Sequence, residues 1–300
     1  MYNYSFTKAS QLAVLANKHQ VSMGEITIRQ AMGEQNLSRD KVIYGMNKRL
    51  GIIRESIQKG FKISSRSKSG LSGGDAQKMA VYQDEQGLLS PVQIKAASYA
   101  LSIMETNALF GRIVALPTAG SAGVVPAVLL AVAEQLKSTD EQIIEALFCA
   151  AGIGIVAGEN SMLAGATGGC QAEVGNAAAM AAVSVTQLRG GDPGQALDAG
   201  AICLKSMLGL VCDPIAGLVE CPCVKRNVIS SANALMASEL AMAGIKSNVP
   251  LDEVILALHE IGTKLSPKYR ETARGGLATT QTGEEVRNNM YAKEKYCSTL

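Results

Sequence analysis

Of the seven cysteines in this 300-residue chain, three sit where a thiol could do chemistry. Cys170 lies in GATGGCQAEVG, Cys212 in LGLVCDPIAG and Cys223 in LVECPCVKRN. Thiolates bind soft or borderline metals: zinc, copper(I) and iron–sulfur clusters. Structural zinc sites usually pair their cysteines in C-x-x-C knuckles. None occurs here, and the nearest approach is the C-P-C of Cys221 and Cys223. Cys149 and Cys203 fall inside helical patterns and read as buried structural thiols. Cys170, Cys212 and Cys223 instead neighbour glycine or proline, on loops or at helix ends. Two glycines before Cys170 let backbone approach a bulky ligand closely. On spacing alone, a shared metal site and simple burial both stay open.

Two glycine- and hydroxyl-rich loops form a second set. SKSGLSGGD (67–75) offers Ser69, Gly70, Ser72 and Gly73, and PTAGSAG (117–123) offers Thr118, Gly120 and Ser121. Each precedes a helical pattern, and helix N-termini bind anions through free N–H groups and the dipole. A carboxylate or phosphate would suit either, as would an ordinary turn capping its helix. Neither loop carries the G-K-[ST] of a P-loop or follows a strand as a dinucleotide fingerprint does. Lys68 would suit a pyridoxal phosphate Schiff base only on an α/β scaffold, which the pattern does not show. The two histidines, His19 and His259, have no evident partner in sequence. Glu105, Glu159 and Glu173 are carboxylates in apolar surroundings, where desolvation raises a pKa.

The elements that must position these groups read as helices. Charged residues make up 18% of the chain and apolar ones 47%, with 4% aromatic and no tryptophan. Small aliphatic side chains must fill the core, which suits closely packed helices and argues against a sandwich or barrel. Residues 8–60 predict three helices, with Ser22 and Glu25 as a cap pair and Gly60 as a C-cap. Asp75 is the expected N-cap of DAQKMAVYQDE, and Ser90-Pro91 opens a helix to about Asn107. Helices are also expected over 124–136, from Thr139 to about 157, over 171–188, from Asp192-Pro193, from about Asn227 to 243, and over 251–264. No strand–helix alternation and no internal repeat is visible. The expectation is an all-α chain with a 1–60 N-terminal helical segment and a 61–300 catalytic domain, its glycine-rich connections functional.

Several partners are excluded. A net charge of +2, with basic residues scattered, argues against nucleic acid. The start MYNYSFTKASQL has no signal-peptide h-region, and an odd cysteine count reads as free thiols in a reducing cytoplasm. The uncharged run 113–133 is long enough to span a bilayer. Pro117, Gly120, Gly123 and Pro126 break it, so the expectation is a loop feeding a buried helix and no membrane.

Four stretches taken together carry more than their spacing: GLSGGDA (70–76), PTAGSAGVVPA (117–127), GGCQAEVG (168–175) and GLVCDPIAGLVECPCVKRN (209–227). They resemble the α chain of the iron–sulfur-dependent L-serine dehydratases, along essentially the whole sequence. The resemblance implies a mostly helical catalytic part and a [4Fe–4S] cluster held by Cys170, Cys212 and Cys223, with Cys221 outside the ligand set. It implies L-serine as substrate, losing water and then ammonia to give pyruvate. Three thiolates leave one iron open as a Lewis acid for the serine hydroxyl. The substrate carboxylate is expected at the 67–75 and 117–123 loops, and Lys225 and Arg226 are placed to balance charge. The resemblance also implies a β subunit in a hetero-oligomer, supplying the base this chain lacks. Cys297 is a further candidate for the open iron. A related lyase acting on cysteine and a metal-binding protein without turnover remain the alternatives.

Overall fold

In the computed structural model, residues 4–82 and 87–297 are described, apart from the side chains of Tyr291 and residues 293–297. The elements are α1 (Ala9–His19), α2 (Met23–Gln35), α3 (Arg39–Gly60), α4 (Asp75–Val81), α5 (Pro91–Ala108), α6 (Val124–Leu136), α7 (Asp140–Asn160), α8 (Gly165–Gly168), α9 (Asn176–Leu188), α10 (Pro193–Lys205), α11 (Cys223–Met242), α12 (Leu251–Lys264) and α13 (Gln281–Cys297). Among the described residues there is no strand, only a parallel bridge between Cys212 and Arg270. The all-α expectation holds.

The core is built around α9. Every residue from Asn176 to Thr186 is buried, and α6, α7, α10 and α11 pack around it. Its alanines let the neighbouring helices approach closely. Gly200 of α10 has no room for a side chain, since a Cβ there would stand 2.6 Å from Val183 Cγ2. α6 is buried from Val124 to Ala133. Each fully buried valine or leucine contributes about 1.5–3 kcal/mol, so these two helices anchor the fold. α2 lies on α7 and α3 on α5. α7 is the one described helix long and apolar enough to cross a membrane, and 61% of its most apolar window is buried inside the protein.

Several expected caps are present. Ser22 accepts from the Glu25 amide at 2.9 Å. Thr139 with Gln142, Ser90 with Gln93, and Asp192 with Gln195 form capping boxes. Three local expectations are corrected. Asp75 is the first residue of α4 rather than its cap, because Gly74, at φ +83, precedes it and the side chain turns to Lys78 and Lys225. Gly60 is the last residue of α3, as expected, but the cap position falls on Phe61 in a right-handed conformation and Gly60 is not a left-handed cap. Gly60 is small because a Cβ there would collide with the Ser102 carbonyl and hydroxyl of α5. α11 begins at Cys223 rather than near Asn227, so Cys223 sits in its first turn.

Candidate metal centre

Cys170 is delivered by a tight turn running into a π-helical turn, Gln171–Gly175, that leads into α9. Gly169 has φ +76, and a Cβ there would stand 2.8 Å from the Leu210 carbonyl. Only glycine fits that backbone conformation and that approach without strain. The Gln171 amide donates to the Leu210 carbonyl at 2.9 Å. The Gly209 amide donates to Gln171 Oε1 at 2.8 Å. Gln171 therefore lays the 209–212 segment alongside Cys170. On its other side that segment is held by a distant part of the chain: Cys212 N donates to Tyr269 O and Glu271 N to Cys212 O, both at 2.8 Å.

The Cys170 and Cys212 sulfurs and a Glu173 carboxylate oxygen all lie within 4.8 Å of one another. Cys170, Cys212 and Cys223 are all buried, and all six described cysteines are free. A hydrogen bond from Cys212, aided by the Arg226 guanidinium against the opposing effect of burial, holds the Cys170 thiol below its usual range. Cys212 is pushed up by that same bond to Cys170 and by burial. Cys223 is pushed up by burial and then by the charges of Cys170 and Glu173. Cys149 and Cys203 are raised by burial, in keeping with inert structural thiols.

Glu173 is buried, and burial raises its pKa; the Thr118 hydroxyl, which donates to Oε1, opposes the shift, and the Glu271 charge adds to it. Gly120 and Gly165 leave space around this carboxylate. A Cβ on Gly165 would meet Cys212 Sγ at 2.9 Å, Glu173 Oε2 at 3.3 Å and Glu271 Oε2 at 3.4 Å. Two carboxylates and a thiol thus face a single point that glycine leaves open.

Arg226 turns inward from α11. Nη1 donates to Cys170 Sγ at 3.4 Å and to the Val211 carbonyl at 2.8 Å, and Nη2 donates to Asp213 Oδ1 at 2.9 Å. Lys225, by contrast, is exposed and pairs with Asp75 at 2.6 Å. Of the two cations expected to balance charge, Arg226 reaches a candidate ligand, the Cys170 thiol.

The loop 117–123 is brought to this centre. Thr118 holds Glu173, Ser121 Oγ lies 3.1 Å from Thr118 Oγ1, and Asn227 of α11 fixes the loop by donating to the Gly120 carbonyl at 2.8 Å. The loop 67–75 meets protein carboxylates. Ser67 and Ser69 donate to Glu220 Oε2 at 2.5 and 2.9 Å, and Gly74, Asp75 and Ala76 amides donate to Glu105. Gly70 N closes a turn on Ser67 O, and Ser67 N donates to Ser72 O. Gly73, at φ +124, packs against the Ser65 carbonyl. Through Glu220 this loop is tied to the turn that presents Cys223. Of the other carboxylates singled out in the sequence, Glu105 is a buried cap for α4 and Glu159 is exposed. His19 packs on Tyr4, ring centroids 5.2 Å apart, and His259 is exposed on α12. The Cys297 side chain lies outside the described residues.

Sequence reasoning missed Asp213, Glu220 and Glu271. Asp213 and Glu220 flank the cysteines, so proximity was a usable signal. Glu271 reaches the site only through the bridge to Cys212, and it stands at φ +63, a conformation non-glycine residues seldom adopt. No spacing rule points to it.

Of the three predicted ligands, Cys170 and Cys212 are brought together with Glu173, while Cys223 is buried and feels the charges of Cys170 and Glu173 but lies outside that group of ligand atoms. Two adjacent buried thiols, a cationic N–H donor on one sulfur and space kept open by Gly165 fit a thiolate-held metal group. The family description "Serine dehydratase alpha chain" matches residues 18–278. A "Probable L-serine dehydratase, alpha chain" from Bacillus subtilis is 44% identical over 287 residues, 95% of each chain. An "L-serine dehydratase, alpha chain" from Peptoniphilus asaccharolyticus is 35% identical over 94% of this chain and 97% of its own. An "L-serine dehydratase" from Streptomyces coelicolor is 34% identical over 92% of this chain but 61% of its own length.

Proposed function

The chain belongs to the serine dehydratase alpha chain family, and on that footing we propose that it is the α chain of an L-serine dehydratase built on a [4Fe–4S] cluster. The observation that carries this reading is the approach of the buried Cys170 and Cys212 sulfurs to within 4.8 Å of each other and of Glu173, beside an inward-facing arginine. Cys223, buried and free of disulfides, is proposed as the third thiolate. These three residues would hold the cluster. When bound, such a cluster supplies a Lewis-acidic iron for the departing hydroxyl, because three protein thiolates leave one of its four irons without a protein ligand.

The reaction removes the α-proton and the β-hydroxyl of L-serine as water. The resulting aminoacrylate tautomerises to an imine, whose hydrolysis gives pyruvate and ammonia. The chain's own groups bind and orient. Burial of the thiols excludes water from the ligand side. Thr118 and the open positions at Gly120 and Gly165 leave Glu173 facing the reacting space. Ser121, Gly120 and the 67–75 residues Ser69, Gly70, Ser72 and Gly73 are proposed to shape the substrate carboxylate's binding region. A β chain is proposed as partner and source of the α-proton base; relatives named as α chains are covered almost end to end, whereas the Streptomyces dehydratase extends well beyond the matched region. Free thiols suit a reducing cytoplasm.

The test is anaerobic purification with a co-expressed β chain, then iron and acid-labile sulfide analysis and pyruvate formation from L-serine, L-threonine and L-cysteine. About four iron and four sulfide per chain are expected, with serine the best substrate. Zinc in place of iron, or faster turnover of cysteine, would overturn the proposal.

A further inference from the structure

The three ligand segments come from separate parts of the chain, and one side chain touches all of them. Arg226 stands three residues after Cys223, on the same face of the first turn of α11. Its Nη1 donates to Cys170 Sγ at 3.4 Å and to the Val211 carbonyl, just before Cys212, at 2.8 Å. Its Nη2 donates to Asp213, just after Cys212, at 2.9 Å. The guanidinium is thus bonded to one ligand, brackets the second and is covalently close to the third. Its side chain is 18% exposed and that of Asp213 only 5%, so neither charge is dispersed into water.

Asp213 has a second role. While Oδ1 accepts from Arg226, Oδ2 accepts from the Leu277 amide at 2.8 Å. Gly276 packs against the same carboxylate so closely that a side chain there would collide with it. The segment 267–278, which carries Glu271, is therefore latched to the residue that orients the guanidinium.

We infer that Arg226 and Asp213 are a positioning pair for the metal centre: Asp213 fixes the fork that aligns the three thiol segments, and ties the 267–278 segment to them. Lysine cannot replace the arginine, because an ammonium is a point charge without the planar fork that spans Cys170, Val211 and Asp213 together. An N–H donor on a ligating sulfur also tunes the cluster's electronic state. The inference rests on the cluster reading above, and its test separates the two.

Wild type, Arg226→Lys, Asp213→Asn and Lys225→Gln are reconstituted anaerobically, and iron release to a ferrous chelator and the reduced-state electron paramagnetic resonance spectrum are recorded. Lys225 is exposed and bound to Asp75, so Lys225→Gln controls for a substitution beside Arg226 that leaves the fork itself intact. Arg226→Lys and Asp213→Asn are expected to release iron about tenfold faster or more, with a shifted spectrum, and Lys225→Gln to match wild type. In parallel, metal-free proteins are digested with trypsin; Asp213→Asn and Arg226→Lys are expected to be cut faster after Arg270 and Arg274, with thermal melting as the check on folding. Wild-type release, spectra and digestion in both variants, or equal effects of Lys225→Gln and Arg226→Lys, would overturn the pair. Wild-type protein that takes up no iron and sulfide overturns the cluster reading instead, and the pair is then decided by the metal-free digestion alone.

Discussion

Gly120 stands so close to Glu173 that a methyl group on it would lie 2.6 Å from the carboxylate's Oε1. The glycine loop is thus a wall of the metal centre. A Gly120→Ala substitution must push either the loop or the carboxylate aside. Displacements of about 1 Å at a reacting centre cost on the order of 100-fold in rate. Serine turnover is expected to fall by about that factor while iron content stays near wild type, because no thiol is touched. Iron loss in proportion to activity would mean that the loop supports the ligands rather than the reaction.

The five buried cysteines are expected to divide into two classes. Cys170→Ala, Cys212→Ala and Cys223→Ala are each expected to lower iron and sulfide retention by more than the about 10–100-fold typical of residues that only support a ligand. Cys149→Ala and Cys203→Ala alter wholly buried thiols inside α7 and α10. They are expected to keep full metal content and to lower stability slightly. Quantifying iron and sulfide in the five variants separates the classes.

Much of this organisation is legible in the sequence. The helices announced themselves through periodicity and through capping pairs such as Thr139–Gln142, which act over a single turn. The three thiols stood out by their glycine and proline neighbours. What was not legible is what tertiary packing decides. Nothing near residue 271 in sequence indicates that Glu271 would meet Glu173 across Gly165, because that meeting depends on the backbone bridge to Cys212. Gly60 does end α3, yet no local signal shows that its smallness also serves contact with Ser102. The 67–75 loop looked like a site for an external anion, and its Gly74, Asp75 and Ala76 amides accommodate Glu105 from within the chain.

That internal anion supports the next prediction. Glu105 is fully buried, and its carboxylate accepts from the Gly74, Asp75 and Ala76 amides at 3.1, 2.7 and 3.3 Å. Bonds to a charged acceptor contribute about 1.5–3 kcal/mol each, and buried donors left unpaired cost about 1–3 kcal/mol. Glu105→Ala is expected to destabilise the protein by about 3 kcal/mol or more. Glu105→Gln retains an acceptor oxygen and should lose less. Urea denaturation midpoints measure both, and a shift for Glu105→Ala no larger than that of an exposed glutamate such as Glu159 would refute the cap.

Acid stability is expected to depend on Glu25. Burial alone would raise its pKa, but hydrogen bonds from Arg39 and Arg29 outweigh that and hold it below 4.5. The bonds are 2.8 Å from Arg29 Nε and 2.9 Å from Arg39 Nη1. A carboxylate whose folded pKa is depressed binds its proton more readily in the unfolded chain. Its stabilisation is therefore complete above the unfolded value and drains away as pH falls through the folded one. Below pH 4.5 wild type should lose stability with a steeper slope than Glu25→Gln, which has no proton to gain, and the two slopes should converge near neutrality. Thermal melting between pH 3 and pH 7 reads both. High salt should shrink the difference only modestly, because Glu25 is largely shielded, its side chain 14% exposed, and screening acts mainly on charges open to solvent.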